Sequence, residues 1–199
     1  MTAHGTPDGA GSASLTTDPV IRRETADDHR AVREVHTRAF GDGERIPALV
    51  DALRVAQAAT APMSFVATVD DRVVGHVLLS AARLDAPRRI VDVLTLSPLG
   101  VVPDLQGQGI GTRLVAHALA AADGQGAPLV FLEGSPHYYG TRGFEGAVAA
   151  GFRPPSLRIP EAAFQVARLS TYEPWMTGTF VCAEPFWALD CVGLRDPAA

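Results

Sequence analysis

Between Val101 and Thr112 the chain reads Val-Val-Pro-Asp-Leu-Gln-Gly-Gln-Gly-Ile-Gly-Thr. Glycines at alternate positions, Gly107, Gly109 and Gly111, permit a tight turn and a close approach of backbone to a ligand. An apolar, strand-like run ends near Gly100, and a helix is predicted from Thr112 to about Ala122. Peptide N–H groups of the loop then converge on one concavity at the positive end of a helix dipole, which attracts phosphate. Spacing narrows the choice. A nucleoside-triphosphate loop needs Gly-Lys-Ser or Gly-Lys-Thr, and the stretch holds no lysine. A dinucleotide fingerprint needs glycine at position 112, where Thr112 stands.

The elements on either side form one unit. The strand from Val91 to about Val102 contains Pro98, which has no N–H for a sheet ladder, so a bulge or local splay is predicted there. The helix buries Leu114, Val115, Ala118, Leu119 and Ala122, with Arg113 and His117 off that stripe, and Gly124-Gln125-Gly126 ends it. Pro128–Leu132 is a continuous apolar run, as a parallel strand covered on both faces requires. A strand–loop–helix–strand unit of this kind crosses over right-handed and binds ligands at the carboxyl ends of its strands, here near Gly100 and Glu133.

Upstream, Val20–Glu24 is a short strand, and Thr25 with Asp28 forms a capping box for a helix carrying Val32, Val35 and Ala39 on one face. A second helix aligns Ile46, Leu49, Val50 and Leu53, joined to the first by Gly41-Asp42-Gly43. A hairpin follows, with strands 64–69 and 72–79 about the turn Asp70-Asp71. Downstream, Phe164–Leu169 alternates as a strand. Residues 1–18 are rich in small and polar residues and are expected to form a disordered tail ahead of a single domain, 19–199.

The motif around the loop resembles motif A of the GCN5-related N-acetyltransferase (GNAT) superfamily. That pattern is a valine, a proline two residues on, then Gln/Arg-x-x-Gly-x-Gly/Ala, read here as Val101, Pro103 and Gln106-Gly107-Gln108-Gly109-Ile110-Gly111. Tyr139 and Gly143-Phe144 also match the superfamily's last motif. The Tyr138-Tyr139 pair after a Gly-x-Pro turn is similar to the YhbS-type branch of predicted acetyltransferases, whose late Gly-x-x-x-aromatic strand is echoed by Gly178–Cys182. The resemblance spans about residues 19–190. It implies an α/β (α+β), three-layer fold: a mixed, mostly antiparallel sheet flanked by helices, with a splayed parallel strand pair at the cofactor site.

The resemblance also implies acetyl-CoA, or another short acyl-CoA, as co-substrate. The N–H groups of Gly107, Gln108, Gly109, Ile110, Gly111 and Thr112, with Gln106 at the entry, would cradle its pyrophosphate. Leu99, Gly100 and Val101 would pair with pantetheine through their main chain. Direct acyl transfer to a primary amine needs no covalent nucleophile, and the sequence shows neither a Gly-x-Ser-x-Gly elbow nor a cysteine near the loop. Tyr139 is the candidate general acid, since a phenol is protonated at neutral pH; a packing role is the alternative. Glu133 is the candidate base, with solvation or substrate binding as its alternatives, and His137 is a rival that reads better as a surface residue. Two readings from other classes remain, a non-catalytic acyl-CoA sensor on the same scaffold and a dinucleotide-binding oxidoreductase. The glycine spacing disfavours the second.

The formal net charge of −5 argues against a nucleic-acid partner. No long apolar run suggests a membrane span, and the N-terminus lacks a signal-peptide pattern, so a cytoplasmic monomer or homodimer is expected. Cys182 and Cys191 read as small buried or half-buried thiols, with a disulfide still open. The histidines share no ligand spacing, so no metal is expected. His36 falls on an apolar helix face and His76 in the hairpin. Arg88-Arg89 reads as solvated surface or as a steering pair for an anion. Tyr172, Trp175, Phe186 and Trp187 are candidates for an acceptor pocket, a dimer contact or plain core. The acceptor itself, a small-molecule or peptide amine, carries no recognisable code.

Overall fold

The computed structural model describes residues 18–41, 43–57 and 63–194. The predicted tail therefore lies outside the described residues, except Asp18, which pairs with Arg113 at 3.2 Å. Strand β1 (Val20–Arg23) leads into the capping box, where the Thr25 N–H donates to Asp28 Oδ2 at 2.8 Å, and helix α1 (His29–Phe40) follows. Gly41, at φ +64, closes α1 in the left-handed region, and helix α2 (Arg45–Ala56) succeeds it.

The hairpin of β2 (Met63–Val69) and β3 (Arg72–Asp85) turns at Asp70 and Asp71, with φ of +47 and +60 as a type I′ turn demands. β3 runs past the expected end at Leu79, because its last residues pair on both sides. One neighbour there is β4 (Ile90–Val101). The other is β9 (Gly178–Val181), which joins the edge of β3 at Arg83–Asp85 beyond the end of β2. Between the two edge strands the Gln57 amide fills the gap, accepting from Ala81 N at 2.9 Å.

After β4 come helix α3 (Ile110–Gly124), β5 (Leu129–Glu133), the single turn α4 (Pro136–Tyr139), and the two-residue strands β6 (Glu145–Gly146) and β7 (Phe152–Arg153). β8 (Phe164–Arg168) and, beyond β9, helix α5 (Glu184–Ala188) complete the chain. The sheet order is β1-β2-β3-β4-β5-β8-β6, antiparallel except for the β4–β5 pair, and β9 joins the edge of β3 with β7 parallel beside it.

Alternation along the strands builds two cores on opposite faces. Leu78, Ala82, Leu84, Val91 and Val93 pack with Leu49 and Leu53 of α2 and with Phe186 of α5. Val77, Leu79, Leu96 and Val130 pack with Ile110, Leu114, Val115 and Ala118 of α3. Phe131 centres the first core, its ring 4.6 Å from that of Phe180 and 5.1 Å from that of Phe152.

The bulge expected at Pro98 is present. Leu96 faces Leu79 and Leu99 faces Val77, so Ser97 and Pro98 share the space opposite Leu78. β4 and β5 pair only at Leu94↔Val130 and Thr95↔Phe131, and then part.

Candidate active site

The loop after β4 makes one 3-10 turn (Pro103–Leu105), and Gln106 turns its side chain back to donate from Nε2 to the Val101 carbonyl at 2.9 Å. Gly107 and Gly109 take φ of +75 and +81. Gly109 thereby caps α3, which starts at Ile110, two residues before the expected Thr112, because Ile110 is already drawn into the core. The first helical bond runs from Arg113 N to Gly109 O at 3.0 Å, so the N–H groups of Ile110, Gly111 and Thr112 have no intrahelical acceptor. Gly111 is a glycine for a different reason: a Cβ there would stand 2.3 Å from the Tyr138 phenol oxygen.

A cleft of about 660 Å³ opens over this loop. Leu99, Val101, Gln106, Gly107, Gly109, Ile110, Gly111, Thr112 and Tyr139 all line it. Two of the expected cofactor residues do not. Gly100 pairs with His76 in the sheet, and its open side faces the His36 ring. Gln108 turns its amide to the Asp104 carbonyl at 3.5 Å. Val102 N donates across to Val74 O at 2.9 Å, so strand alternation turns the main-chain groups of Leu99 and Val101 outward, into the cleft.

Sequence reasoning missed Arg142, the one cationic side chain on the cleft wall among the described residues. Its Nε donates to Thr112 Oγ1 at 2.9 Å, a second N–H reaches the Tyr138 carbonyl, and its guanidinium lies 3.7 Å from the Tyr138 ring centre. Nothing in its local sequence separates it from an ordinary turn arginine. Tyr139 packs against Gly134, where a Cβ would meet its ring at 2.5 Å, and edge-on to Tyr138 at 4.9 Å. Burial pushes its phenol up to about 12, with Tyr138 adding to the rise and Arg142 opposing it. His137 is exposed on α4 and is absent from the cleft wall.

Glu133 stands at the end of β5 and does not line this cleft. It lines a small pocket on the other face of the sheet, beside Thr95 and Ser97. Its Oε2 accepts from Gly193 N at 3.0 Å, and burial raises its pKa against that bond and the nearby Arg158. The structure therefore separates the two candidate catalytic groups, placing one on each side of the gap between β4 and β5.

A family model described as an acetyltransferase (GNAT) domain matches residues 20–147. The chain belongs to the GNAT acetyltransferase family. It is 32% identical over 161 residues to the uncharacterized N-acetyltransferase YjhQ of Escherichia coli K12, covering 77% of this chain and 86% of that one. The solved GNAT protein YhbS of E. coli, in complex with CoA, superposes with a TM-score of 0.75 at 28% identity, over 92% of this chain and 96% of that one. A GNAT acetyltransferase from Brucella melitensis, in complex with acetyl-CoA, gives 0.68 at 29% identity, over 85% and 98%. The sheet with its parted parallel pair is the GNAT fold expected from the sequence.

Other polar groups of this GNAT chain are tied up elsewhere. Glu24, Ser64, His76 and His36 form a buried line under β4: His36 Nε2 lies 2.7 Å from His76 Nδ1, and His76 Nε2 lies 2.7 Å from Ser64 Oγ. Ser64 donates to Glu24, which also pairs with Arg54. Burial alone would raise Glu24, but His76, Ser64 and Arg54 hold it at about 2. Burial, with His76 and Arg54 alongside, depresses His36 to about 2, and burial lowers His76 against the pull of Glu24. The two histidines are thus neutral core groups. Arg88 and Arg89 stack on Trp175 at 5.2 and 5.3 Å, and neither lines the cleft. Phe186 is buried, Trp187 is 43% exposed, and the two cysteines are free thiols. Among the described residues no helix is long and apolar enough to cross a membrane, and no cluster of His, Cys, Asp or Glu could hold a metal ion.

Proposed function

We propose that this chain transfers an acetyl group from acetyl-CoA to a primary amine by direct attack. The observation that carries the reading is the cleft itself, where free helix N–H groups, the outward main chain of β4 and the Tyr139 phenol share one wall. The CoA and acetyl-CoA complexes of its solved relatives support it. The N–H groups of Ile110, Gly111 and Thr112 suit a diphosphate, and Arg142 adds a cationic side chain. The outward main chain of Leu99 and the Val101 N–H are placed to pair with an amide-bearing arm, as an edge strand would, while the Val101 carbonyl already accepts from Gln106.

Acetyl-CoA supplies an activated thioester carbonyl. An outward N–H of β4 is suited to stabilise negative charge growing on that carbonyl oxygen. Tyr139, held protonated by burial, is suited to protonate the departing sulfur. Glu133, its pKa raised by burial, is suited to take the amine proton from the opposite side of the gap.

Gly109→Asp tests the reading. It strains a φ of +81 and sets a carboxylate where the phosphates would lie. Calorimetric binding of acetyl-CoA should disappear, with NADH binding absent from the start. Unchanged acetyl-CoA affinity in the variant, or tighter binding of NADH by the parent, would overturn it.

A further inference from the structure

β4 and β5 part beyond Thr95 and Phe131. On the α3 side of the sheet lies the cleft already described. On the other side Thr95 and Ser97 of β4, with Leu132 and Glu133 of β5, wall a separate pocket of about 50 Å³. Phe164, Phe180 and Phe186 form its far wall, and Cys191 and Val192 close it.

Two features distinguish this pocket from a packing defect. Thr95 is only 6% exposed, and its hydroxyl has no hydrogen-bond partner among the described residues. A buried hydroxyl left unpaired costs stability and calls for an explanation. Among the described residues the pocket has a single carboxylate, Glu133, bonded at Oε2 to the N–H of Gly193 in the segment that closes it. Its other lining side chains among the described residues are apolar, thiol or hydroxyl.

We propose that this pocket receives the acceptor, and that the acceptor is a short primary amine with an uncharged apolar tail. The inference rests on the acetyl-transfer reading above. The nitrogen lies between Glu133 and the Thr95 hydroxyl, with the carbon chain among the phenylalanines. Once the ammonium has given one proton to solvent, the neutral nitrogen bonds to the acetyl carbon and the carbon–sulfur bond breaks; Glu133 takes the second proton from nitrogen and Tyr139 gives one to sulfur, so the exchange balances. A second charge on the acceptor finds no match. A carboxylate would be repelled by Glu133, and Arg158, the cation that acts on Glu133, already pairs with Asp190 at 3.6 Å; further ammonium groups would find no second anion on the lining among the described residues. The volume admits roughly four water-sized groups, which sets the length.

The test is initial-rate thiol release at saturating acetyl-CoA with propylamine and isobutylamine, against alanine, spermidine and an aminoglycoside. The alkylamines should exceed the others in kcat/KM by about tenfold or more. Thr95→Val, nearly isosteric, should raise KM for propylamine about tenfold while acetyl-CoA affinity is unchanged and Tm is equal or higher. A preference for the carboxylated or polycationic amines overturns the proposal. So does a Thr95→Val variant with lowered Tm and unchanged KM, which would make the hydroxyl structural. If the parent binds acetyl-CoA yet acetylates neither alkylamine, this proposal fails and the cofactor reading stands. If it binds no acetyl-CoA, both fall together.

Discussion

Glycines in the loop answer to different forces, and so do the titrating groups around it. Gly107 and Gly109 are demanded by left-handed backbone, with open space where a Cβ would be, whereas Gly111 yields room to the Tyr138 phenol. Tyr139 has ordinary packing neighbours in Gly134, Tyr138 and Phe144, so its identity as a phenol matters only if the proton is used. Tyr139→Phe should keep the fold and acetyl-CoA affinity and lower kcat roughly 10²-fold, read by thiol release; unaltered kcat would favour a sensor. The buried imidazoles make a pH prediction. His36, depressed to about 2, stays neutral in the fold and burial holds His76 below its ordinary value, but both take up protons near 6.5 once unfolded. Stability is therefore full above that value and falls as pH drops through it, by up to about 1.4 kcal/mol per pH unit for each imidazole. Glu24, with its carboxyl held at about 2, adds a further loss below its ordinary 4.5. Denaturant titrations at pH 7.5 and 5.5 should show the first loss. Equal stabilities would mean that these rings are not buried neutral.

At the level of elements, the sheet is held open where chemistry is proposed and patched where it is not. The β4–β5 pair contributes two registered positions and then parts, while the bulge at Ser97 and Pro98 interrupts the ladder with β3. Elsewhere a comparable break is mended. β2 ends opposite Leu79, β9 begins opposite Arg83, and the Gln57 side chain serves the Ala81 N–H between them. Gln57→Ala would leave that N–H without this acceptor and should cost about 1–3 kcal/mol in urea unfolding. A change below a few tenths would mean that water substitutes fully for the amide.

Taken whole, the molecule places α2 and α5 on one side of the sheet and α3 on the other, and a ligand on the loop adjoins the α3-side core. Acetyl-CoA at a hundred times its Kd should add about 2.7 kcal/mol to folding. For a domain of this size that raises Tm by roughly 5–10 °C. Calorimetry should show one transition, shifted as a unit, if residues 19–199 fold as a single domain. Two transitions, with only one moved, would divide the chain.

Local sequence determined the backbone choices: the left-handed glycines, the Thr25–Asp28 box, the Asp70-Asp71 turn, the bulge at Pro98 and the order of strands and helices around the loop. These follow from dihedral sterics and apolar periodicity, which act over a few residues and leave their mark in any short window. Tertiary structure alone decided which side chains share a wall. It brought Arg142 onto Thr112, set His36 against Gly100, turned Glu133 away from the cleft towards Gly193, and assembled Thr95 with Phe180 and Val192. Those partners lie tens of residues apart, and no local periodicity encodes them, because the meeting depends on strand register and on which face of the sheet each residue occupies.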